Sequence, residues 1–276
     1  MSQLESAEKL TGVAETLMIT LYSRAVETQR DDSFFQDPKA VEIVERTRYD
    51  FEKYEQGWGS LLGVILRSQT IDRLVQTFLA THPDAVVINL GSGLCTRFTR
   101  LDNGRLHWYE VDFPETIELR RKFFSESDRY QFIAQSILDF TWLDRIQRAP
   151  EQPLLVIMEG VSMYLTEADN RAIINTISDR LAPTNFIFDV VSPRVAKNSK
   201  RHDTVSKTDA EFQFGIEKSK DLEMWGKGIT LREEIFYLVQ FSQHPQRLPW
   251  WARYFSFLLV PLFKNSGRVV NLELLG

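Results

Sequence analysis

The chain has 276 residues, of which 43% are hydrophobic and 26% are charged, as in an average soluble globular protein. It carries 33 basic and 38 acidic side chains, and a net charge of −5 lacks the positive surface that binds nucleic acid. The single cysteine, Cys95, excludes an internal disulfide, and no Cys or His spacing matches a metal site. We therefore expect a cytoplasmic protein that binds neither nucleic acid nor metal.

The first 83 residues carry the spacing of α-helices. One apolar face is formed by residues at three- and four-residue steps, namely Leu10, Val13, Leu17 and Leu21. Asp37 followed by Pro38 is typical of a helix start, because aspartate caps the first turn and proline fits its first position. Apolar residues from Ile71 to Leu79 mark a further helix, which should end before Pro83. The sequence therefore predicts a helical cap over residues 1–83.

The pattern then changes to short apolar runs. Five of them leave room for a crossover helix between neighbours, namely Val86–Leu90, His107–Val111, Tyr130–Ala134, Leu154–Met158 and Phe186–Val191. Runs that are apolar on both faces are typical of parallel strands buried between helices. A capping box at Thr166 begins one such helix, and two β-like stretches follow in the tail, Glu234–Val239 and Arg268–Leu275. We predict a doubly wound α/β fold with a mostly parallel, Rossmann-like sheet.

We expect residues 1–276 to form one domain. Its core would span residues 84–276, with a polar insertion near residues 192–228. Such a charge-rich stretch is usually a solvated face, and because it follows the fifth strand, an insertion near the ligand crevice is the second interpretation. The segment Met1–Leu10 lacks the basic start of a signal peptide. The apolar stretch Trp250–Phe263 has 14 residues, whereas about 20 are needed to span a bilayer. We expect no membrane span and interpret this stretch as packed over a pocket.

The strongest local signal is the Gly91–Gly93 turn directly after the first strand. Two glycines allow a sharp turn and a close approach of the backbone to a ligand. Glu110 and Asp112 end the second strand, where a carboxylate can accept hydrogen bonds from ribose hydroxyls. These features predict a cofactor that contains adenosine. Thr96 stands where a dinucleotide fingerprint has a third small residue, which favours S-adenosylmethionine (SAM) and leaves an NAD-binding oxidoreductase as a distant alternative.

Five separated stretches resemble, in order and spacing, the leucine carboxyl methyltransferase family and its bacterial branch of tetracenomycin-type polyketide O-methyltransferases. They are Thr16–Ala25, Leu66-Arg67 with Ile71-Asp72, Val87–Leu94 with Thr96–Phe98 and Arg100-Leu101, Trp108–Glu115, and Glu159–Leu165. The resemblance implies a class I SAM-dependent methyltransferase fold, SAM as the cofactor and O-methylation as the activity.

The resemblance also implies how SAM would be held. Seven residues would bind it, namely Gly91 and Gly93 at the methionine half, Arg67 at the carboxylate, Glu159 at the amine, Asp112 at the ribose, and Ser136 and Ile137 at the adenine. A guanidinium makes two parallel hydrogen bonds to a carboxylate, so we expect a bidentate bond from Arg67.

The acceptor side is predicted from the chemistry of the transfer. A carboxylate is already ionised, so it needs positioning more than a base. We therefore expect Arg24 and Arg194 to hold the acceptor acid and Tyr164 to hydrogen-bond it. A phenolic acceptor would need a base, for which Glu159 or Tyr164 would be nearest. No catalytic residue is assigned.

The favoured activity is methylation of a carboxylate on a small, polyketide-like molecule. The main alternative is a protein C-terminal carboxylate, as in the family's eukaryotic members, which act on a phosphatase subunit. Ser136 replaces an acid of those enzymes and favours the small molecule. A SAM-binding protein without catalysis is a further alternative, disfavoured because Arg67, Gly91, Asp112 and Glu159 are all present. The sequence leaves the oligomeric state open.

Overall fold

The computed structural model describes residues 4–6, 10–201, 203–254 and 263–276. The N-terminal part consists of three helices, α1 (Leu17–Thr28), α2 (Pro38–Glu45) and α3 (Trp58–Thr81). Two short parallel strands, β1 (Glu5–Ser6) and β2 (Thr47–Arg48), pair beside them.

The cap helices agree with the sequence in two of three places. Asp37 caps α2, because its Oδ1 accepts a hydrogen bond from the Ala40 amide at 3.1 Å. Helix α3 ends before Pro83, as predicted. The first helix begins later than predicted: Leu10 and Val13 precede a 3-10 turn at Ala14–Thr16, and Val13 is 42% exposed. Apolar spacing alone does not distinguish a helical turn from the coil that leads into it.

The central sheet has strands β3 (Val86–Leu90), β4 (His107–Asp112), β5 (Tyr130–Ala134), β6 (Leu154–Met158), β7 (Thr184–Val191), β8 (Ile229–Ile235) and β9 (Gly267–Leu274). Their order is β5-β4-β3-β6-β7-β9-β8. The first five pair in parallel, and β9 lies antiparallel between β7 and β8. The five predicted inner strands and the mostly parallel sheet are therefore confirmed.

The first of the two predicted tail strands lies earlier in the chain than expected. Residues Glu234–Val239 were expected to form it, but β8 ends at Ile235 and a 3-10 segment covers Tyr237–Gln243. Strand β8 is an edge strand whose residues Arg232–Glu234 are exposed and charged. It therefore lacks the continuous apolar run by which the inner strands were predicted. The predicted stretch Arg268–Leu275 corresponds to β9.

Further helices complete the layers, namely α4 (Arg97–Leu101), α5 (Pro114–Arg120), α6 (Glu167–Leu181), α7 (Pro193–Lys197) and α8 (Trp250–Tyr254). Helix α6 begins with the predicted capping box, in which Thr166 and Asp169 exchange hydrogen bonds. Alternate residues of a strand face opposite sides. Val87 accordingly packs with the cap helices, whereas Val86 and Ile88 pack with α6. The doubly wound α/β fold is confirmed.

The described helices include none that combines the length and the apolar character needed to cross a bilayer. Of the apolar stretch Trp250–Phe263, the first five residues form α8, and residues 255–262 lie outside the described part of the chain.

The strand order places a ligand crevice at β3. Its two neighbours, β4 and β6, are reached by connections that run in opposite directions, and ligands bind outside the carboxyl ends of strands at such a point. Gly91 follows β3, Asp112 ends β4, and Glu159 follows β6. The topology therefore brings these three residues to one edge of the sheet.

Candidate active site

A cavity of about 290 Å³ opens at this edge, and we call it the turn cavity. All seven residues predicted to bind the cofactor line it, namely Arg67, Gly91, Gly93, Asp112, Ser136, Ile137 and Glu159. Tyr164 and Arg24 also line it, whereas Arg194 does not.

The glycine turn requires glycine at both positions. Gly91 and Gly93 have φ angles of 64° and 50°, in the left-handed region. A Cβ atom at Gly91 would also overlap the Val161 side chain. Arg120 fixes the turn from below, donating hydrogen bonds to the carbonyls of Gly93 at 2.8 Å and Cys95 at 2.7 Å. The backbone at this turn is therefore held close to the cavity.

Two acids end β4, and only one reaches the cavity. Asp112 accepts hydrogen bonds from the amides of Gly93 and Phe113, both at 2.7 Å, and it lines the turn cavity. Glu110 is fully buried and bonded to Arg120 and Asn89. Burial raises the pKa of both carboxyls. Asp112 is thus the acid placed to meet a ligand.

The guanidinium of Arg67 is held by two protein acids. Its Nε donates to Glu159 Oε1 at 3.0 Å, and its Nη1 donates to Asp189 Oδ2 at 3.1 Å. Among the described residues its Nη2 has no hydrogen-bond partner, and it lies beside Gly160. The expected bidentate bond to a ligand carboxylate is therefore not available in this arrangement, because both edges of the guanidinium are engaged. Arg67 presents one nitrogen.

Glu159 receives three donors. Besides Arg67, the Ser68 hydroxyl donates at 2.8 Å and Arg97 Nη2 at 2.5 Å. Burial alone would raise the pKa of the Glu159 carboxyl, but Arg97 and Arg67 outweigh burial and hold that pKa well below its usual range. Glu159 is a stable carboxylate and a poor base.

An alternating chain of ion pairs runs beneath the turn cavity. Its members are, in order, Arg24, Asp37, Arg100, Asp72, Arg97, Glu159, Arg67 and Asp189. Four cations alternate with four anions, so the chain is neutral. It ties α1, α2 and α3 to α4 and the sheet.

The two arginines that were predicted to hold the acceptor, Arg24 and Arg194, do not meet at one site. Arg24 is 4% exposed and donates to Asp37 at 2.9 Å and to the Leu94 carbonyl at 3.0 Å, so it holds the cap against the glycine turn. Arg194 is exposed on α7 and lines neither cavity described here. The expectation that these two side chains hold the acceptor finds no support in the geometry, because Arg24 is engaged by Asp37 and Arg194 lines neither cavity.

A second cavity of about 630 Å³, the apolar cavity, adjoins the first. Five residues line both and form what we call the junction, namely Thr16, Thr20, Arg67, Gly160 and Tyr164. The walls are largely apolar and include the aromatic side chains of Trp58, Phe212, Tyr237, Phe241 and Trp251. Among the described lining residues only Arg67 and Asp203 carry charge. Val195 and Phe212 come from the predicted polar insertion, which therefore does reach the crevice.

Two tyrosine hydroxyls face this space. Burial raises the pKa of Tyr164, at the junction, to about 12, so the hydroxyl stays protonated and can donate a hydrogen bond at neutral pH. Tyr237 is 7% exposed, and its hydroxyl, which is open to the cavity, makes no hydrogen bond within the described part of the chain. Burial also raises the pKa of Tyr237, and the nearby Arg67 guanidinium opposes that rise. The sequence analysis missed Tyr237 because no motif surrounds it.

The sequence model of one family, described as leucine carboxyl methyltransferase, matches residues 17–178, more than half of the chain. The chain belongs to the leucine carboxyl methyltransferase family. Its predicted enzyme class, a SAM-dependent O-methyltransferase, and its predicted cofactor, SAM, are thereby confirmed. The alternative of an NAD-binding oxidoreductase is wrong.

Two curated relatives are similar over most of the chain. The tetracenomycin polyketide synthesis O-methyltransferase TcmP of Streptomyces glaucescens is 34% identical over 227 residues, covering 82% of this chain and 83% of TcmP. The SAM-dependent methyltransferase dpfgK of Gibberella zeae is 25% identical, covering 94% and 93%. A DUF574 family protein from Streptomyces avermitilis shares the fold, with a TM-score of 0.58 at 11% identity over 92% of this chain and 96% of that one.

The turn cavity of this family member fits SAM. The left-handed glycine turn brings backbone close to the cavity, and Asp112 at the end of β4 lines it with a carboxylate that can accept hydrogen bonds from hydroxyls such as those of a ribose. Ser92 is 4% exposed and lines the cavity, and its hydroxyl has no hydrogen-bond partner in the described part of the chain. Buried polar groups are normally paired, so an unpaired hydroxyl here is explained by a polar ligand. Within the described residues no His, Cys, Asp and Glu side chains group as a metal site would require.

Proposed function

We propose that this chain methylates the carboxylate of a small, flat, polyketide-like aromatic acid. SAM would occupy the turn cavity and the acceptor would occupy the apolar cavity. The observation that carries this proposal is the junction, where Arg67, Gly160 and Tyr164 line both spaces. Residues 1–276 would act as one domain, since cap and sheet share one apolar cluster and one chain of ion pairs.

The roles proposed for the cofactor residues follow from their positions. Gly91 and Gly93 would lie against the methionine half and Asp112 would accept from the ribose hydroxyls. Arg67 would donate through Nη2 to the SAM carboxylate, a single charge-assisted bond. Glu159 would face the amine while it holds Arg67 in place. Ser136 and Ile137, beyond the end of β5, would flank the adenine.

A carboxylate acceptor agrees with the groups at the junction, because none of them is a suitable base. Glu159 is held as a stabilised carboxylate, and the Tyr164 pKa of about 12 keeps that hydroxyl protonated. Asp203 lies away from the junction and accepts from the Ser60 amide at 3.3 Å. A carboxylic acid with a pKa near 4 needs no base, because it is ionised at neutral pH.

The reaction would be an in-line displacement. Bound SAM supplies a methyl group activated by its sulfonium sulfur. The carboxylate oxygen would form the new O–CH₃ bond as the S–CH₃ bond broke, which would give a methyl ester and S-adenosylhomocysteine without release of a proton. Tyr164 would orient the acceptor oxygen by a hydrogen bond, and the apolar walls would exclude water. Such positioning supplies much of the rate when two reactants are held in contact.

A small acceptor is favoured over a protein C-terminus by the shape and lining of the apolar cavity. Aromatic rings form its walls, which suits a flat ring system. The relative TcmP acts in polyketide synthesis by its name, which supports an acceptor of the same class.

The test is a methyl-transfer assay with labelled SAM and three acceptor groups: aromatic acids, phenols, and peptides that end in a leucine carboxylate. The product is then treated with mild base, which hydrolyses a methyl ester and leaves an aryl methyl ether intact. We expect a base-labile product from an aromatic acid. A base-stable product, or transfer only to the peptides, would contradict the proposal. Arg194→Ala is the control variant, and we expect it to keep wild-type rates because Arg194 lines neither cavity.

A further inference from the structure

Helix α3 presents two glycines and an arginine to the apolar cavity at intervals of one turn. Gly59, Gly63 and Arg67 are each four residues apart, so they share one helix face, and all three line the cavity. The face thus forms a shallow groove that leads to the guanidinium.

Neither glycine is required by the backbone or by packing. Both lie within the helix, where neither has a positive φ and where glycine is less favourable than alanine. A Cβ atom at Gly63 would lie 3.7 Å from Leu238 Cδ2 and 4.0 Å from Phe241, and one at Gly59 would lie 3.5 Å from Asp203 Oδ2. These are ordinary contacts. What the glycines provide is open space in the cavity.

An independent observation points to a ligand with a polar group at one end of this groove. Tyr237 is 7% exposed and lines the cavity near Arg67, and its hydroxyl, which is open to the cavity, makes no hydrogen bond within the described part of the chain. A hydroxyl that the protein leaves unpaired in a largely apolar cavity can donate to a ligand, so this end of the groove suits a ligand group that accepts hydrogen bonds. The groove is different at Gly63, where the neighbouring side chains, Leu238 and Phe241, are apolar.

We propose that Gly63 sets the size of the acceptor, which lies along α3 with its acid at Tyr237 and its rings over Gly63. This inference rests on the proposed function. At a rise of 1.5 Å per residue, Gly63 is about 6 Å and Gly59 about 12 Å from Arg67 along the axis. Counted from the Arg67 end of the groove, an acid with a single ring ends short of Gly63, whereas an acid with fused rings extends across Gly63. The open helix face therefore selects for polycyclic acids.

The experiment uses three acids of increasing length, namely benzoic, 2-naphthoic and 2-anthracenecarboxylic acid. Their methylation and their binding, by calorimetry with S-adenosylhomocysteine present, are compared for the wild type and Gly63→Leu. Ala80→Leu adds the same side chain on an exposed part of α3 and is the matched control. Tyr237→Phe removes only the hydroxyl that would bind the acid.

Gly63→Leu should lower the preference for the three-ring over the one-ring acid by at least about tenfold, since a few methylene groups discriminate by that much in a pocket. Tyr237→Phe should weaken all three acids by a similar factor, about five- to tenfold. SAM affinity should not change in Gly63→Leu, because Gly63 does not line the turn cavity. An unchanged size preference would overturn the role of Gly63 alone. A wild type that binds and methylates none of the acids would overturn the proposed function, and this inference with it.

Discussion

The turn cavity and the apolar cavity are held together by different forces. Beneath the turn cavity runs the chain of ion pairs, whose central arginine, Arg97, is 1% exposed. The apolar cavity is walled by aromatic and aliphatic side chains, and only Arg67 and Asp203 among its described residues are charged. A cofactor with fixed charges needs protein charges of opposite sign at fixed positions, whereas a flat acceptor needs a large apolar contact surface. The comparison predicts that charge removal affects the first cavity and side-chain volume the second.

The largest change in free energy should come from Arg97→Met, which should destabilise the fold. This change keeps the length of the side chain but removes the charge between Asp72, at 2.6 Å, and Glu159, at 2.5 Å. Breaking a buried pair leaves uncompensated charge, so we expect the free energy of unfolding to fall by about 3–5 kcal/mol. Urea unfolding at pH 7 measures it. Arg97→Lys, which keeps the charge, should lose less. Arg121→Met, which breaks an exposed pair with Glu126, is the control and should change little.

A smaller effect is expected for Asp112→Asn. The amide keeps one acceptor oxygen but cannot satisfy the two backbone amides and also bind a ribose. We expect SAM affinity to fall about 10- to 100-fold, which corresponds to one or two charge-assisted hydrogen bonds. Isothermal titration calorimetry measures this, with Asp128→Asn, distant from the turn cavity, as the control. Equal SAM affinity in both variants would remove Asp112 from the cofactor site.

At the junction, Tyr164→Phe should weaken the acceptor more than SAM. Loss of one hydrogen bond to a carboxylate corresponds to about tenfold in kcat/KM for the acceptor. Arg194→Ala should leave kcat/KM unchanged, since this side chain lines neither cavity. Steady-state kinetics with a turned-over acid measures both. If Arg194→Ala lowered kcat/KM and Tyr164→Phe did not, the acceptor would have to lie outside the apolar cavity.

The smallest effect is expected from pH. The pKa of Tyr164 is raised to about 12 and that of Glu159 is held low, so the first stays protonated and the second ionised near neutrality. The acceptor carboxylate, with a pKa near 4, is also ionised. With SAM saturating, kcat should therefore stay nearly flat from about pH 6.5 to 8.5. A rate that rises with pH toward the pKa of a phenol would contradict the carboxylate assignment.

The sequence predicted the turn cavity well because its signals are local. A glycine turn after an apolar strand and an acid at the end of the next strand are adjacent to the elements that place them. Parallel strands then bring Gly91, Asp112 and Glu159 to one edge of the sheet. What could not be predicted is hydrogen bonding across the fold, such as the capture of the Arg67 guanidinium by Asp189, 122 residues away.

The acceptor side was predicted poorly for the same reason. The apolar cavity is closed by side chains from distant segments, including Tyr237 in a 3-10 segment that was expected to be a strand. Arg24 was chosen for its charge, but its partner Asp37 lies on the N-cap of another helix. The four-residue spacing of Gly59 and Gly63 on α3 can be read from the sequence, but only the structure shows that both glycines line the apolar cavity.

The central claim is that the two cavities hold the two reactants and meet at the junction. A crystal structure with S-adenosylhomocysteine and 2-anthracenecarboxylic acid tests it most directly. We predict the cofactor product in the turn cavity, the rings over Gly63, and the carboxylate within hydrogen-bonding reach of both Tyr164 and Tyr237. One carboxylate oxygen should face the cofactor sulfur across the space of one methyl group. An acid bound outside the apolar cavity, or a carboxylate pointing away from the sulfur, would contradict the account.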